Sequence, residues 1–149
     1  MKTSTGRPPE INRLEILKKV NYFRFLTVNQ CRAIFGKCSF TEMKEILFGL
    51  WRHDFLGRLV LTRAAKKIFI FYVFSLSRKG ARQLAEKIGA EKIFFLKPND
   101  KRSSLFLEHA LLLNDFRICL ELLSNKTNDT RLIVWTHDKR DLKIRLNSN

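Results

Sequence analysis

The sequence predicts an α+β fold, mainly α, in which short helices come first, a β-hairpin follows and further helices close the chain before a short terminal strand. Three observations carry this. Two capping boxes open helices in quick succession, Thr27 standing three residues before Gln30 and Ser39 three before Glu42. The β-prone segments "RLVLTR" and "IFIFYVFSL" flank the polar tip "AAKK", as the arms of a hairpin do. Downstream of them, "LFLEHALLLNDFRICLELL" is a long apolar run of helix formers.

The elements follow in order. Residues 1–8 form a polar lead-in. Pro8 and Pro9 then stand where proline is tolerated at a helix start, and Ile11, Leu14, Leu17 and Val20 keep helical spacing, so the first helix is expected over about residues 9–22. The Thr27 box opens a short second helix with Val28, Cys31, Ile34 and Phe35 on one face, stopped by Gly36. The Ser39 box opens a longer third helix, to about His53, whose inner face is Met43, Ile46, Leu47 and Leu50. Gly57 breaks the helical pattern and the hairpin begins. In its second strand Ile68, Ile70, Tyr72 and Phe74 alternate with Phe69, Phe71 and Val73, so both faces need cover, from the helices, from later chain or from a second subunit. Ser77 caps a helix that ends at Gly89, and a long helix starts near Ser103 or Ser104 and reaches Leu123. "RLIVWT" is expected to be a strand, followed by a basic end. This divides the chain into residues 9–90 and a C-terminal extension over 91–149.

Charge narrows the function. The 149 residues hold 29 Lys and Arg against 14 Asp and Glu, a formal charge of +15 spread from Lys2 to Arg145. A surface of that sign attracts polyanions, and a hydrophobic content of 45% belongs to a folded domain and not to a disordered basic arm. Double-stranded DNA is the leading partner; RNA or an acidic protein is the alternative. The apolar run from Ile68 is cut by Ser75, Ser77 and Arg78, short of the roughly twenty residues a spanning helix needs. Charges are scattered through the first twenty residues where a secretory signal needs an apolar core, so the expectation is a soluble, cytoplasmic protein with no membrane partner. Cys31, Cys38 and Cys119 leave one thiol over in any disulfide scheme and match no zinc spacing, even with His53, His109 and His137 considered; no metal and no cofactor is expected.

Catalysis finds little support. The sequence has no phosphate-binding glycine loop, no HExxH and no Gly-x-Ser-x-Gly turn. Glu108, His109 and Asp115, with Asp138 and Asp141, are the residues from which a metal-dependent nuclease centre would have to be assembled. No catalytic residue is assigned.

Helix, short helix, longer helix and basic-tipped hairpin is the order of a winged helix-turn-helix, in which the third helix enters the major groove and the hairpin touches flanking phosphates. On that expectation Thr41, Lys44, Glu45, Phe48 and Arg52 face DNA from the third helix, and Arg58, Arg63, Lys66 and Lys67 from the hairpin. Apolar residues cover more than one stripe of the long helix, which makes it the expected homodimer element, through Leu105, Leu112, Phe116, Leu120 and Leu123.

Four blocks carry a family resemblance: "FLTVNQCRAIF" (Phe25 to Phe35), "EILFGLWRHDFLGR" (Glu45 to Arg58), "FSLSRKGARQL" (Phe74 to Leu84) and "EHALLLNDF" (Glu108 to Phe116). Together they resemble the replication-relaxation proteins, winged-helix proteins of bacterial plasmids and mobile elements. The resemblance implies DNA binding in plasmid replication, DNA relaxation or transcription regulation, with replication or mobilisation proteins as further partners, and it supplies no catalytic residue.

Overall fold

The computed structural model describes residues 11–36, 38–64, 68–90 and 93–126, without the side chains of residues 63, 64, 68 and 69. The lead-in, the prolines at its end, Lys66 and Lys67, the "RLIVWT" segment and the basic end lie outside the described residues. The chain is mixed α+β and mostly helical. Its elements run α1 (Arg13–Phe23), β1 (Leu26–Thr27), α2 (Val28–Phe35), α3 (Phe40–Arg52), β2 (Leu56–Ala64), β3 (Ile68–Leu76), α4 (Arg78–Ile88) and α5 (Ser104–Lys126).

Local chemistry explains most boundaries. α1 starts later than its proline pair suggests, because Asn12 is the cap and its side chain accepts from Leu14 N at 2.9 Å. Both capping boxes form, Thr27 with Gln30 and Ser39 with Glu42. α2 stops at Gly36 and α4 at Gly89, each in the left-handed region at φ 74° and φ 67°, where a residue without Cβ is unstrained. Ser77 caps α4 by accepting from Gly80 N at 3.1 Å.

Among the described residues the three strands are antiparallel in the order β1-β3-β2, with β2 and β3 registered from Leu56 opposite Leu76 to Ala64 opposite Ile68. The two-residue β1 has no periodicity to reveal it. It is a strand only because Leu26 lies opposite Phe74 and Thr27 opposite Val73.

Each face of the inner hairpin has its own core. Phe74, Leu76 and Leu56 join Ile16, Leu17, Val20, Met43, Leu47 and Leu50 from the first three helices. On the other face Val73 and Leu61 meet Phe25, Leu96 and Leu107. The inner half of the doubly apolar strand is therefore covered within one chain, by α5 and by the segment before it, so this half makes no demand for a second subunit. Leu96 reaches its place because Gly57 has no side chain: a Cβ there would lie 3.1 Å from Leu96 Cδ2. Leu96 N also donates to Leu76 O at 2.8 Å.

α5 is fastened by polar groups where a wholly apolar helix would have none. Asn114 Nδ2 donates to Phe23 O at 3.2 Å and to Phe25 O at 2.6 Å. Arg117, fully buried, donates from Nη1 to Tyr22 O at 3.1 Å and lies 3.5 Å from the centre of the Tyr22 ring and 4.6 Å from that of Phe23. Burial lowers the Arg117 pKa, while the Tyr22 hydrogen bond and Glu121, 3.8 Å away, favour its charged form. Gln30 Nε2 donates to Leu111 O at 2.9 Å and to Asp115 Oδ1 at 2.8 Å. These bonds surround a tight turn at Arg24, φ 67° and ψ −46°, closed by Phe25 N donating to Phe23 O at 2.9 Å. Such a γ-turn is strained and costs about 1–3 kcal/mol, which the surrounding contacts must offset.

Replacing Asn114 by Ala strips those two carbonyls of their buried donor. The expected destabilisation is about 1–3 kcal/mol in urea unfolding, with unchanged helix content in the folded state. Gly80→Ala is expected to be worse, because its Cβ would fall 2.0 Å from Phe55 O, a backbone atom with little room to move. A loss of about 3 kcal/mol or more, or failure to accumulate as folded protein, is the expected outcome in the same assay.

Candidate nucleic-acid interface

α3 buries Met43, Leu47 and Leu50 against the core, and helical geometry turns the opposite side to solvent. Thr41, Glu45 and Arg52 share that outward stripe and are exposed, with Lys44 exposed at its shoulder. Arg52 Nη2 lies 3.5 Å from Glu45 Oε2, and Arg52 Nε donates to Phe48 O at 3.3 Å. An ion pair between two solvated side chains is worth little, so the Arg52 guanidinium exchanges readily to another anion. Glu42, which would repel phosphates, is tied down: its carboxylate accepts from Ser39 N at 2.8 Å, and that bond, with the Ser39 side chain, holds its pKa below the usual carboxylate range.

Phe48, expected on the exposed face, turns inward. It is half-buried and stands edge-on to Trp51, Tyr72 and Phe74, at centroid distances of 5.9, 5.1 and 5.6 Å. An aromatic side chain beside an uncovered strand end gains more from ring contacts than from water, and β3 supplies two of the three rings. Over this cluster lies Arg58 of β2, its guanidinium 3.8 Å from the Trp51 centroid, 5.0 Å from Tyr72 and 5.4 Å from Phe48. Lys44 Nζ is 5.8 Å from the Phe48 ring. Stacking engages the face of a guanidinium and leaves its in-plane N–H donors for an acceptor. The bracket therefore ties α3 to the hairpin and holds one cation at their junction.

The structure thus gathers Thr41, Lys44, Glu45, Arg52 and Arg58 around α3, and assigns Phe48 to packing. Arg63 is opposite Phe69 in the β2–β3 register, and its side chain is not described; Lys66 and Lys67 lie outside the described residues. Trp51 and Tyr72 are the residues that sequence reasoning missed. Their signal was present: an arginine at the start of one strand and three aromatic residues spaced to reach it across α3 and β3.

Glu108, His109 and Asp115 line an apolar groove of about 970 Å³ between α5, α2, α3 and the hairpin. Asp115 is engaged with Gln30, and no cluster of three His, Cys, Asp or Glu suited to a metal ion occurs among the described residues. Asp138 and Asp141 lie outside the described residues. Cys31 is buried and its thiol is pushed up to about 12 by desolvation, so it stays protonated in the core. No helix among the described residues is long and apolar enough to cross a membrane. Comparison with protein families, with curated proteins and with solved structures finds no match.

Two substitutions separate scaffold from surface here. Gly49 sits in α3 with nothing within 4 Å of where a Cβ would be, so Gly49→Ala is expected to raise stability by about 0.5–1 kcal/mol, read from the thermal unfolding midpoint. Arg58→Ala is expected to lower it by about 1 kcal/mol through loss of the cation–π contacts, with a matching change in tryptophan fluorescence from Trp51.

Proposed function

We propose that this protein is a winged-helix, double-stranded DNA-binding protein, with α3 as the recognition helix and the β2–β3 hairpin as the wing. The observation that supports this most is the arrangement around α3. A capped helix presents an outward stripe with Arg52, brackets Arg58 between itself and the hairpin, and belongs to a chain of net charge +15. The order α1-β1-α2-α3-β2-β3 with sheet order β1-β3-β2 agrees with that fold. In this reading Arg52 and Lys44 reach guanine edges or phosphates, Glu45 accepts from a cytosine amino group, and Thr41 donates to a phosphate near the helix N-terminus. Arg58, Arg63, Lys66 and Lys67 hold the flanking backbone and set register without reading sequence. The resemblance to replication-relaxation proteins supports a place in plasmid or mobile-element replication, DNA relaxation or transcription control, with binding and not catalysis as the chain's own task.

Fluorescence anisotropy on duplex DNA is expected to show affinity falling steeply with salt, log K against log salt having a slope of about −4 to −6 if five or so phosphates are neutralised. The double variant Lys66→Ala, Lys67→Ala should weaken every duplex alike. Arg52→Ala or Lys44→Ala should instead alter base preference in a selection from random duplexes, by about 1–3 kcal/mol at the affected position. Affinity that is flat across salt sinks the proposal, and unchanged preference removes α3 as the reading element.

A further inference from the structure

α5 exposes a heptad seam along the groove it shares with α2, α3 and the hairpin, which Leu105, His109, Leu112 and Cys119 also line. Leu105, His109, Leu112, Phe116, Cys119 and Leu123 are spaced four, three, four, three and four residues apart, the a/d spacing of a coiled coil, and all six are exposed. The buried positions Leu107, Asn114, Arg117 and Ile118 lie on the opposite side of the same helix. Phe106 and Leu113, also exposed, flank the seam on one edge, and Leu122 on the other. Half-buried Leu120 stands beside the seam and not in it.

We propose that the occupant of this seam is α5 of a second copy, running antiparallel. The spacing is palindromic about Asn114. A two-fold axis there sets Leu105 against the partner's Leu123, His109 against the partner's Cys119 and Leu112 against the partner's Phe116, and each pair recurs on the other side of the axis, as an isologous contact requires. In the parallel alternative each His109 would meet its own copy, two polar rings side by side in an apolar seam, whereas the antiparallel register sets each ring beside a thiol. None of the six seam residues is Lys, Arg, Asp or Glu, although the chain carries +15. A stripe free of like charge is the place where two such cationic chains can meet. Asp115 borders the axis, but its carboxylate is held by Gln30 of its own chain at 2.8 Å.

The area is adequate. The exposed apolar residues of α5 range from 39% to 77% accessible, and at 150–250 Å² for a large side chain they present on the order of 600 Å². That approaches the roughly 800 Å² per partner of a standard interface. This inference does not rest on the DNA reading, since the seam is apolar and its partner is the chain itself.

Light scattering without DNA, in about 0.5 M salt where phosphate contacts are suppressed, is expected to give twice the mass of one chain, falling to one chain on dilution. Leu112→Glu should hold the protein at the mass of one chain with unchanged circular dichroism, because Leu112 is 67% exposed and takes little part in the fold. Register is tested in a Cys38→Ser background. His109→Cys treated with copper phenanthroline should form a disulfide from residue 109 to the partner's Cys119, seen by peptide mass mapping. The mass of one chain at every concentration, a Leu112→Glu protein that still dimerises, or a Cys119 to Cys119 link in its place would each overturn the proposal. Because no arm uses DNA, failure here and failure of the DNA reading are independent results.

Discussion

The fold depends on how the chain leaves α1. Between Phe23 and Leu26 the backbone reverses through the positive-φ turn at Arg24, and three carbonyls, those of Tyr22, Phe23 and Phe25, point towards α5. Buried carbonyls without donors are costly, so that turn requires the Asn114 amide and the Arg117 guanidinium opposite it. Once it is closed, Leu26 and Thr27 line up beside β3, Thr27 is in place to cap α2, and the angle between α1 and α2 is set. An element over eighty residues downstream thereby stabilises the geometry of the first three helices.

The same contact gives α5 two roles. Its inner face supplies donors to the α1 exit and Leu107 and Ile118 to the two cores, which anchors the helix and leaves its outer face exposed. Arg117 makes this specific, since the planar cation stacks on Tyr22 while hydrogen-bonding the carbonyl of the same residue, a pairing that lysine would not reproduce. The outer face can then be shaped by spacing alone. Its heptad register needs no further support from the domain.

Between α3 and the hairpin the linkage is aromatic. Phe48, Trp51 and Tyr72 join α3 to the hairpin, and Arg58 lies over them, so any displacement of the hairpin moves a cation relative to the α3 stripe. Gly80 holds the base of the hairpin by letting α4 sit directly on the Phe55 carbonyl, where Ser77 N donates to Phe55 O at 3.2 Å and Ser77 Oγ to Asp54 O. Helix, hairpin and α4 therefore meet around residues 54–58, and the proposed reading surface is as rigid as that junction.

By itself the sequence determined the elements whose signals are local. Capping boxes at Thr27 and Ser39, glycine stops at Gly36 and Gly89, the Ser77 cap and the apolar strand Ile68–Leu76 are each written in fewer than ten residues, and the structure has them there. It also placed Thr41, Lys44, Glu45 and Arg52 on the outer side of α3, because helical periodicity alone decides that. Tertiary structure decided the rest. β1 exists through pairing, Phe48 turned inward because Tyr72 and Phe74 come from another element, and Asn114 and Arg117 found partners on α1 that no spacing within α5 announces. The physical reason is common to all three. A buried polar group or ring is stabilised by what lies opposite it, and what lies opposite is fixed only when distant segments have folded together.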